Sequence, residues 1–238
     1  MLSLTPKKLI TYMIWANGIL YVLSLLFSGR STGLTLNPLN ALSPSLQALT
    51  FMGASGTIPI HQYHAWWSLF TANWLHGSLL HIIFNMIALR NIGPLVIHEF
   101  GMARMFSIYT LSGAAGFYLS CLGNVQVTIG ASAGLCGMIG ALLFFGKTQG
   151  GIWGTQVFQQ TKVWIFSLVL IGFLIPNINN WGHGGGLIGG VILALLMGYN
   201  NTRRENKADV LLAVGLFMAT LFFFLRTMFE GFILMLNG

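Results

Sequence analysis

Long apolar runs that are almost free of charged residues make up most of this chain. Hydrophobic residues form 55% of its 238 positions, whereas Asp, Glu, Lys and Arg together form only 6%. A soluble domain typically carries about 25% charged residues. A helix that crosses a bilayer needs about 20 mostly apolar residues, which several of these runs supply. The sequence therefore predicts an all-α, polytopic membrane protein.

Seven runs are predicted to span a membrane, and they form a single membrane domain over residues 1–238. The first run is interpreted as a retained span, because no small-residue cleavage site follows it. A long external loop is expected between the first and second spans, at about 29–74. The predicted spans lie at about 9–28, 75–96, 105–123, 129–145, 163–176, 181–198 and 210–228.

Basic residues occur before the first span and in every second link after it, and this alternation indicates the orientation. The positive-inside rule places the N-terminus in the cytoplasm and the C-terminus outside. The net charge of +7 comes from residues scattered at the ends of apolar runs, so it does not indicate a nucleic-acid site. These residues are Lys7, Lys8, Arg90, Arg104, Lys147, Lys162, Arg203, Arg204 and Lys207.

Among the polar residues within these apolar runs, four in three different spans are candidates for chemistry. His81 and Asn85 are one helical turn apart in span 2, Ser132 is near the start of span 4, and His183 is near the start of span 6. Ionisable and polar side chains are costly in hydrocarbon, so they are functional candidates by default. Spans 2, 4 and 6 all enter from outside, which predicts that the four side chains lie at one level near the outer leaflet.

Small residues recur every four positions in spans 4 and 6, and this spacing lets helices approach closely in lipid. Packing of these two spans face to face would bring Ser132 to His183. The small residues are Ala133, Gly137 and Ala141 in span 4, and Gly182, Gly185, Gly186, Gly189 and Gly190 in span 6.

A hydroxyl and an imidazole at the same depth are the parts of a serine hydrolase. The histidine takes the proton of the serine and later protonates the leaving amine. The backbone N–H of Ser132, with His81 and Asn85, can stabilise the oxyanion that forms. No acid is expected near His183, because three lie on the cytoplasmic side and the fourth lies beyond span 7, beside Arg226. The four acids are Glu99, Glu205, Asp209 and Glu230.

Three ordered segments of the sequence resemble the motifs of the rhomboid intramembrane serine proteases. Residues 76–85 are similar to the second-span pattern of that family, in which His is followed by His-x-x-x-Asn. Residues 130–133 are similar to its Gly-x-Ser-x motif, and residues 183–190 are similar to the His-x-x-Gly-x-x-x-Gly of its sixth span.

The resemblance implies a six-helix core with one additional C-terminal helix. It implies that Ser132 and His183 form a catalytic dyad and that His81 and Asn85 help to build the oxyanion hole. Its substrates would be transmembrane segments of other proteins, cut within the lipid bilayer near the outer leaflet. No cofactor is implied, and the compact size favours a bacterial plasma-membrane protein.

Several positions depart from the family pattern. Ser68 follows the first-loop tryptophan in place of arginine, Ala133 follows the serine in place of glycine, and Cys136 occupies a position that is often aromatic. Ile97 occupies the position of an acidic residue at the end of span 2. The departures at Ser68, Ala133 and Cys136 motivate an alternative, a catalytically inactive relative that binds transmembrane segments.

Two other functions fit the sequence less well. A metal site would need more than scattered histidines, and the sequence has no HExxH motif. A transporter or channel would need paired ionisable residues along a route across the membrane, whereas the polar groups here lie at one face only. The histidines considered for a metal are His61, His64, His76, His81 and His183.

Overall fold

The computed structural model describes residues 4–37, 39–175 and 178–236, and within these ranges the fold is all-α, as the sequence predicts. Seven helices are long, and two short ones lie in the loop after the first. In chain order they are α1 (Pro6–Ser28), α2 (Leu46–Phe51), α3 (Ser68–Thr71), α4 (Leu79–Phe100), α5 (Met102–Leu122), α6 (Ser132–Gln149), α7 (Gly151–Leu174), α8 (Asn180–Met197) and α9 (Lys207–Leu236).

Six of the described helices are long and apolar enough to cross a membrane, which makes the chain an integral multi-pass membrane protein. They are α1, α4, α5, α7, α8 and α9. The remaining predicted span, the fourth, corresponds to α6 and is outside this set, because α6 is rich in glycine and ends in Lys147, Thr148 and Gln149. Its 18 residues correspond to about 27 Å of helix. The count of seven spans stays a prediction.

α6 lies at the centre of the fold, in contact with α4, α5, α7 and α8. Most of its side chains are buried, from Ala133 to Phe145. A helix enclosed by other helices does not need the continuous apolar surface that lipid requires, since its neighbours replace the hydrocarbon. This explains why the most central helix is also one of the less hydrophobic.

Glycines allow α6 and α8 to pack backbone against backbone, so the predicted contact between spans 4 and 6 is confirmed. A methyl group on Gly190 would overlap the carbonyl of Gly137, and one on Gly186 would overlap the carbonyl of Ala133. Side chains at these positions would force the helices apart.

Several predicted boundaries are wrong, most clearly that of span 5. α7 begins at Gly151 rather than near residue 163, so Lys162 lies within the helix, over the ring of Phe158 at 5.1 Å. The first half of α7 is rich in polar residues, so the hydrophobicity of the sequence did not predict that these residues belong to the helix. Pro176, the predicted end of this span, lies outside the described residues.

Capping moves the start of the second predicted span. The Ser78 hydroxyl accepts a hydrogen bond from His81 N at 3.3 Å, and the helix runs from Leu79 to Phe100 rather than over 75–96. The first loop therefore extends to Ser78 instead of ending at 74. The other boundaries differ from the predicted ones by three residues or fewer at most ends, although α9 continues to Leu236.

Charged residues gather where α5 and α9 begin and α8 ends, which we call the charged end. Arg104 is fully buried there, with Nε 3.5 Å from Asp209, and Asp209 also pairs with Arg203 at 2.6 Å. Glu205 accepts hydrogen bonds from Ala103 N and Arg104 N, which satisfies the first amides of α5. α4, α6 and α8 begin at the opposite end, which we call the site end.

Candidate active site

The turn that precedes α6 sets the position of Ser132. Gly130 has a φ of +125°, a conformation that L side chains rarely adopt, and its N–H donates to the Ala72 carbonyl at 2.9 Å. Ser132 is the first residue of α6, so its own N–H lies in the first turn, where amides lack partners within the helix. The turn therefore presents the hydroxyl and this N–H together.

His183 comes from the first turn of α8. Its Nε2 lies 3.0 Å from Ser132 Oγ, which is hydrogen-bond distance. The glycine contact between α6 and α8 brings these two residues together from positions 51 apart in the chain. A hydroxyl bonded to an imidazole in this way can lose its proton as it attacks a carbonyl.

The other ring nitrogen of His183, Nδ1, is buried and has no hydrogen-bond partner among the described residues. The acids lie elsewhere: Glu99 accepts from Trp153 Nε1 at 2.9 Å near the charged end, and Glu230 pairs with Arg226 at 2.8 Å. Ser132 and His183 thus form a pair without a third, acidic member in the described part of the chain.

His81 lies beside the turn that carries Ser132. A methyl group on Gly130 would be 2.7 Å from His81 Nε2 and 3.7 Å from Ser132 Oγ, so both atoms border the same point. Gly77 N–H donates to His81 Nδ1 at 3.3 Å. A neutral imidazole that accepts at Nδ1 carries its hydrogen on Nε2. His81 therefore directs an N–H donor toward the serine.

Asn85 follows one turn later on α4 and is buried. Its Nδ2 donates a hydrogen bond to the His81 carbonyl of the same helix at 2.8 Å. The structure thus brings Ser132, His183 and His81 together, whereas the recorded hydrogen bond of the Asn85 side chain goes to the His81 carbonyl.

His76 stands behind His81, with the two rings edge to face at a centroid distance of 5.1 Å. Burial holds the pKa of His76 well below its ordinary value, and the nearby His81 lowers this pKa further. His76 therefore stays neutral and contributes packing beside His81. Within the described residues, no group of three His, Cys, Asp or Glu side chains is arranged to hold a metal ion.

One polar residue near the site escaped the sequence analysis. Asn179 caps α8: its Oδ1 accepts from Gly182 N at 3.0 Å. Its Nδ2 donates to the hydroxyls of Ser120 and Thr128, at 2.7 Å each. An asparagine four residues before His183 is a recognisable capping signal, since Asn is among the preferred N-cap residues. Its contacts with distant hydroxyls have no sequence signal.

Known proteins resemble this chain over most of its length. A family model described as "Rhomboid domain" matches residues 63–200, a segment that contains all four candidate site residues. "RHOMBOID-like protein 1" of Arabidopsis thaliana is 34% identical over 179 residues, which cover 72% of this chain and 46% of that protein.

Two further relatives differ in what their names state about activity. "Rhomboid protease GluP" of Bacillus subtilis is 32% identical over 160 residues, which cover 67% of this chain and 31% of GluP. "Inactive RHOMBOID-like protein 8" of Arabidopsis thaliana is 30% identical over 165 residues, which cover 67% of this chain and 46% of that protein. The chain thus spans about a third to a half of the length of these relatives.

Proposed function

The chain belongs to the rhomboid family, and on that basis we propose that it is an intramembrane serine endopeptidase. Ser132 is the nucleophile and His183 the general base. The observation that carries this proposal is the 3.0 Å separation of Ser132 Oγ and His183 Nε2, two groups delivered by different helices at the same end of the molecule. The family relationship alone supports either an active or an inactive protein.

The reaction that this pair supports is peptide-bond hydrolysis through an acyl-enzyme. His183 Nε2 takes the hydroxyl proton as Ser132 Oγ attacks the scissile carbonyl carbon. His183 then gives that proton to the leaving amine as the C–N bond breaks. A water molecule, deprotonated in turn by His183, attacks the acyl-serine and releases the second product.

The negative charge that develops on the carbonyl oxygen needs donors that are already in place. The Ser132 N–H and the His81 Nε2–H are the two groups that the geometry supports best, because both border the Gly130 turn. Asn85 contributes through its bond to the His81 carbonyl, which holds that part of α4. Asn85 is proposed as a further oxyanion donor, although its Nδ2 donates here to the His81 carbonyl.

The substrate class follows from the surroundings of the pair. A transmembrane helix satisfies all of its backbone groups internally, so it must unwind locally before a carbonyl can reach Ser132. We therefore propose substrates that carry small or helix-breaking residues near the cut. The positive-inside rule favours a cytoplasmic charged end, an external site end, an N-terminus inside and a C-terminus outside. The bacterial plasma membrane stays a prediction; the relatives named above come from a plant and a bacterium.

The test compares wild type with Ser132→Ala and His183→Ala on a model single-span substrate in detergent. Both variants should lose cleavage, while their thermal unfolding stays close to that of wild type. A fluorophosphonate probe should label wild type at Ser132 and should fail to label either variant. Cleavage by Ser132→Ala at the wild-type rate would contradict the proposed nucleophile.

The second candidate is a catalytically silent protein that binds transmembrane segments. It is favoured by the 30% identity to "Inactive RHOMBOID-like protein 8" and by the residues at Ser68, Ala133 and Cys136. If the folded wild type neither cleaves the substrate nor reacts with the probe, but retains a transmembrane peptide in a pull-down, this second function replaces the first.

A further inference from the structure

Asn179 connects three parts of the chain with one side chain. Its Nδ2 donates to Ser120 Oγ near the end of α5 and to Thr128 Oγ1 in the link that leads to α6, at 2.7 Å each. Its Oδ1 accepts from Gly182 N in the first turn of α8, at 3.0 Å. Each of these segments lies at the site end.

Two of the connections lead directly to the catalytic pair. Thr128 is four residues before Ser132, and Asn179 is four residues before His183, whose N–H donates to the Asn179 carbonyl at 3.1 Å. The bond between the Asn179 amide and the Thr128 hydroxyl therefore joins the segment that bears the nucleophile to the helix that bears the base.

The Asn179 side chain makes more hydrogen bonds than helix capping requires. An N-cap needs an acceptor oxygen, which Ser, Thr, Asp and Asn all provide. Both N–H donors of the Asn179 amide instead reach hydroxyl oxygens of other segments. Ser120 Oγ donates onward to the Gly116 carbonyl at 2.8 Å, so that hydroxyl receives the Asn179 donor as an acceptor.

Thr128 is also held from its opposite side. Its backbone forms a pair of hydrogen bonds with Ser55 in the first loop, at 2.7 and 3.0 Å. Two residues later, Gly130 N–H bonds to the Ala72 carbonyl, also in the first loop. The segment before Ser132 is thus fixed between the first loop on one side and Asn179 on the other, which leaves it little freedom to shift.

We propose that Asn179 is a positioning residue that sets the separation of Ser132 and His183. This inference rests on the proposed function, because it concerns the alignment of that same pair. Without the amide, α8 keeps its cap and its glycine contact with α6 but loses the hydrogen bond that joins it to Thr128. A misplacement of about 1 Å between reacting groups can cost a hundredfold in rate.

Asn179→Ser separates capping from positioning. Serine caps a helix about as well as asparagine, but its short hydroxyl does not reach Ser120 and Thr128. Thr128→Val removes the same bond from the other side, has nearly the shape of threonine and leaves the cap intact. The matched control is Asn180→Ser, the same change one residue later, where the amide bonds instead to the Gly172 carbonyl of α7 at 2.9 Å.

The readout is the rate at which a fluorophosphonate labels Ser132, measured beside kcat and KM on the model substrate in the full chain. We expect Asn179→Ser and Thr128→Val to lower the labelling rate and kcat by about tenfold to a hundredfold, with KM little changed. The double variant should be no worse than the more severe single one, because both remove the same connection. Asn180→Ser should label at the wild-type rate.

The possible failures are distinguishable. A wild type without Ser132-dependent labelling overturns the proposed function, and this inference with it. Labelling of both Asn179→Ser and Thr128→Val at the rate of a reactive wild type overturns this inference alone. If Asn179→Ser does not accumulate in the membrane, Thr128→Val decides: a normal rate refutes the positioning role, and a reduced rate at unchanged thermal stability supports it.

Discussion

At the scale of single residues, His76 makes stability depend on pH. It is fully buried, and burial keeps its pKa well below the ordinary 6.5. Below about pH 6.5 the unfolded chain takes up a proton at this site that the folded protein does not. The free energy of unfolding should therefore fall as pH is lowered from 6.5 toward the native pKa of His76, with a slope of at most about 1.4 kcal/mol per pH unit.

The measurement is thermal unfolding in detergent between pH 5 and pH 8 for wild type and His76→Asn. The variant lacks this titrating group, so its stability should depend less steeply on acidity below pH 6.5. Equal slopes for the two proteins would show that His76 takes up its proton in the folded state as readily as in the unfolded one.

Sequence reasoning found Ser132, His81 and His183 because polar side chains within apolar runs are rare and costly. Asn179 escaped it because it lies in a polar link, where asparagine is common and its partners are far away in the chain. The hydrogen bond from Asn85 to the His81 carbonyl also depends on side-chain geometry, because helical periodicity placed both residues on one face but did not predict their hydrogen-bond partners.

At the scale of helices, the close contact between α6 and α8 brings Ser132 and His183 within hydrogen-bond distance. Gly190→Ala would place a methyl group onto the Gly137 carbonyl. We expect a loss of stability of about 1–3 kcal/mol, as for other overpacked interiors, together with slower labelling of Ser132. Gly184→Ala is the control on the same helix, since a methyl group there meets nothing within 4 Å.

Thermal unfolding of the two alanine variants tests this contact. Gly184→Ala should unfold near the wild-type temperature or slightly above it, because alanine favours helix more than glycine does. If both variants behave alike, the close approach of α6 and α8 does not limit stability.

The C-terminal half of the last helix, α9, contacts the first loop through side chains around Trp67, a group of contacts that we call the clasp. The Arg226 guanidinium stacks on the Trp67 ring at 3.8 Å, and Trp67 Nε1 donates to Thr227 Oγ1 at 3.1 Å. Phe70 and Phe223 add a ring contact at 5.8 Å. An arginine thus reaches the first-loop tryptophan from α9, although Ser68 follows that tryptophan in the sequence.

Trp67→Leu should therefore destabilise the protein by about 1–3 kcal/mol through loss of the cation–π contact and the hydrogen bond. The matched control is Trp66→Leu, because Trp66 is about half exposed (49%) beside it. Unfolding curves should separate the two variants by several degrees. A larger shift for Trp66→Leu would mean that the clasp does not hold the loop.

The seven long helices followed from the sequence, but the short helices α2 and α3 and several boundaries did not. Hydrophobicity detects the lipid-facing part of a helix, so it missed the polar first half of α7. Hydrophobicity also did not predict that other helices enclose α6, because enclosure depends on which helices pack around it in the fold. The first loop was predicted as a long connection but ends at Ser78 rather than at 74, and its hydrogen bonds to Thr128 and Gly130 depend on the folded arrangement.

At the scale of the whole molecule, the buried ion pairs and the candidate site lie at opposite ends. The charged end holds Arg104, Arg203, Glu205 and Asp209, whereas the site end holds the uncharged Ser132 group. The positive-inside rule predicts that the site end faces outward. A membrane-impermeant maleimide applied to intact cells should label Leu36→Cys, a fully exposed position in the first loop, but not Asn201→Cys in the link between α8 and α9.

The native Cys121 and Cys136 are free but buried, so they should add little background labelling. Labelling of Asn201→Cys should appear once the membrane is permeabilised. The reverse pattern in intact cells would show that the orientation is opposite to the predicted one. The proposed cleavage site would then lie near the other leaflet.

The glycine contact between α6 and α8 has a consequence for how the proposed activity should depend on lipid. Main-chain atoms in close contact set the distance between these helices, and close-packed protein interiors have low compressibility. When bilayers of different acyl-chain length tilt the peripheral helices, the alcohol and the imidazole should move together as one body. Membrane thickness would then govern how a substrate arrives, while the chemistry after its arrival would proceed alike in thin and thick bilayers.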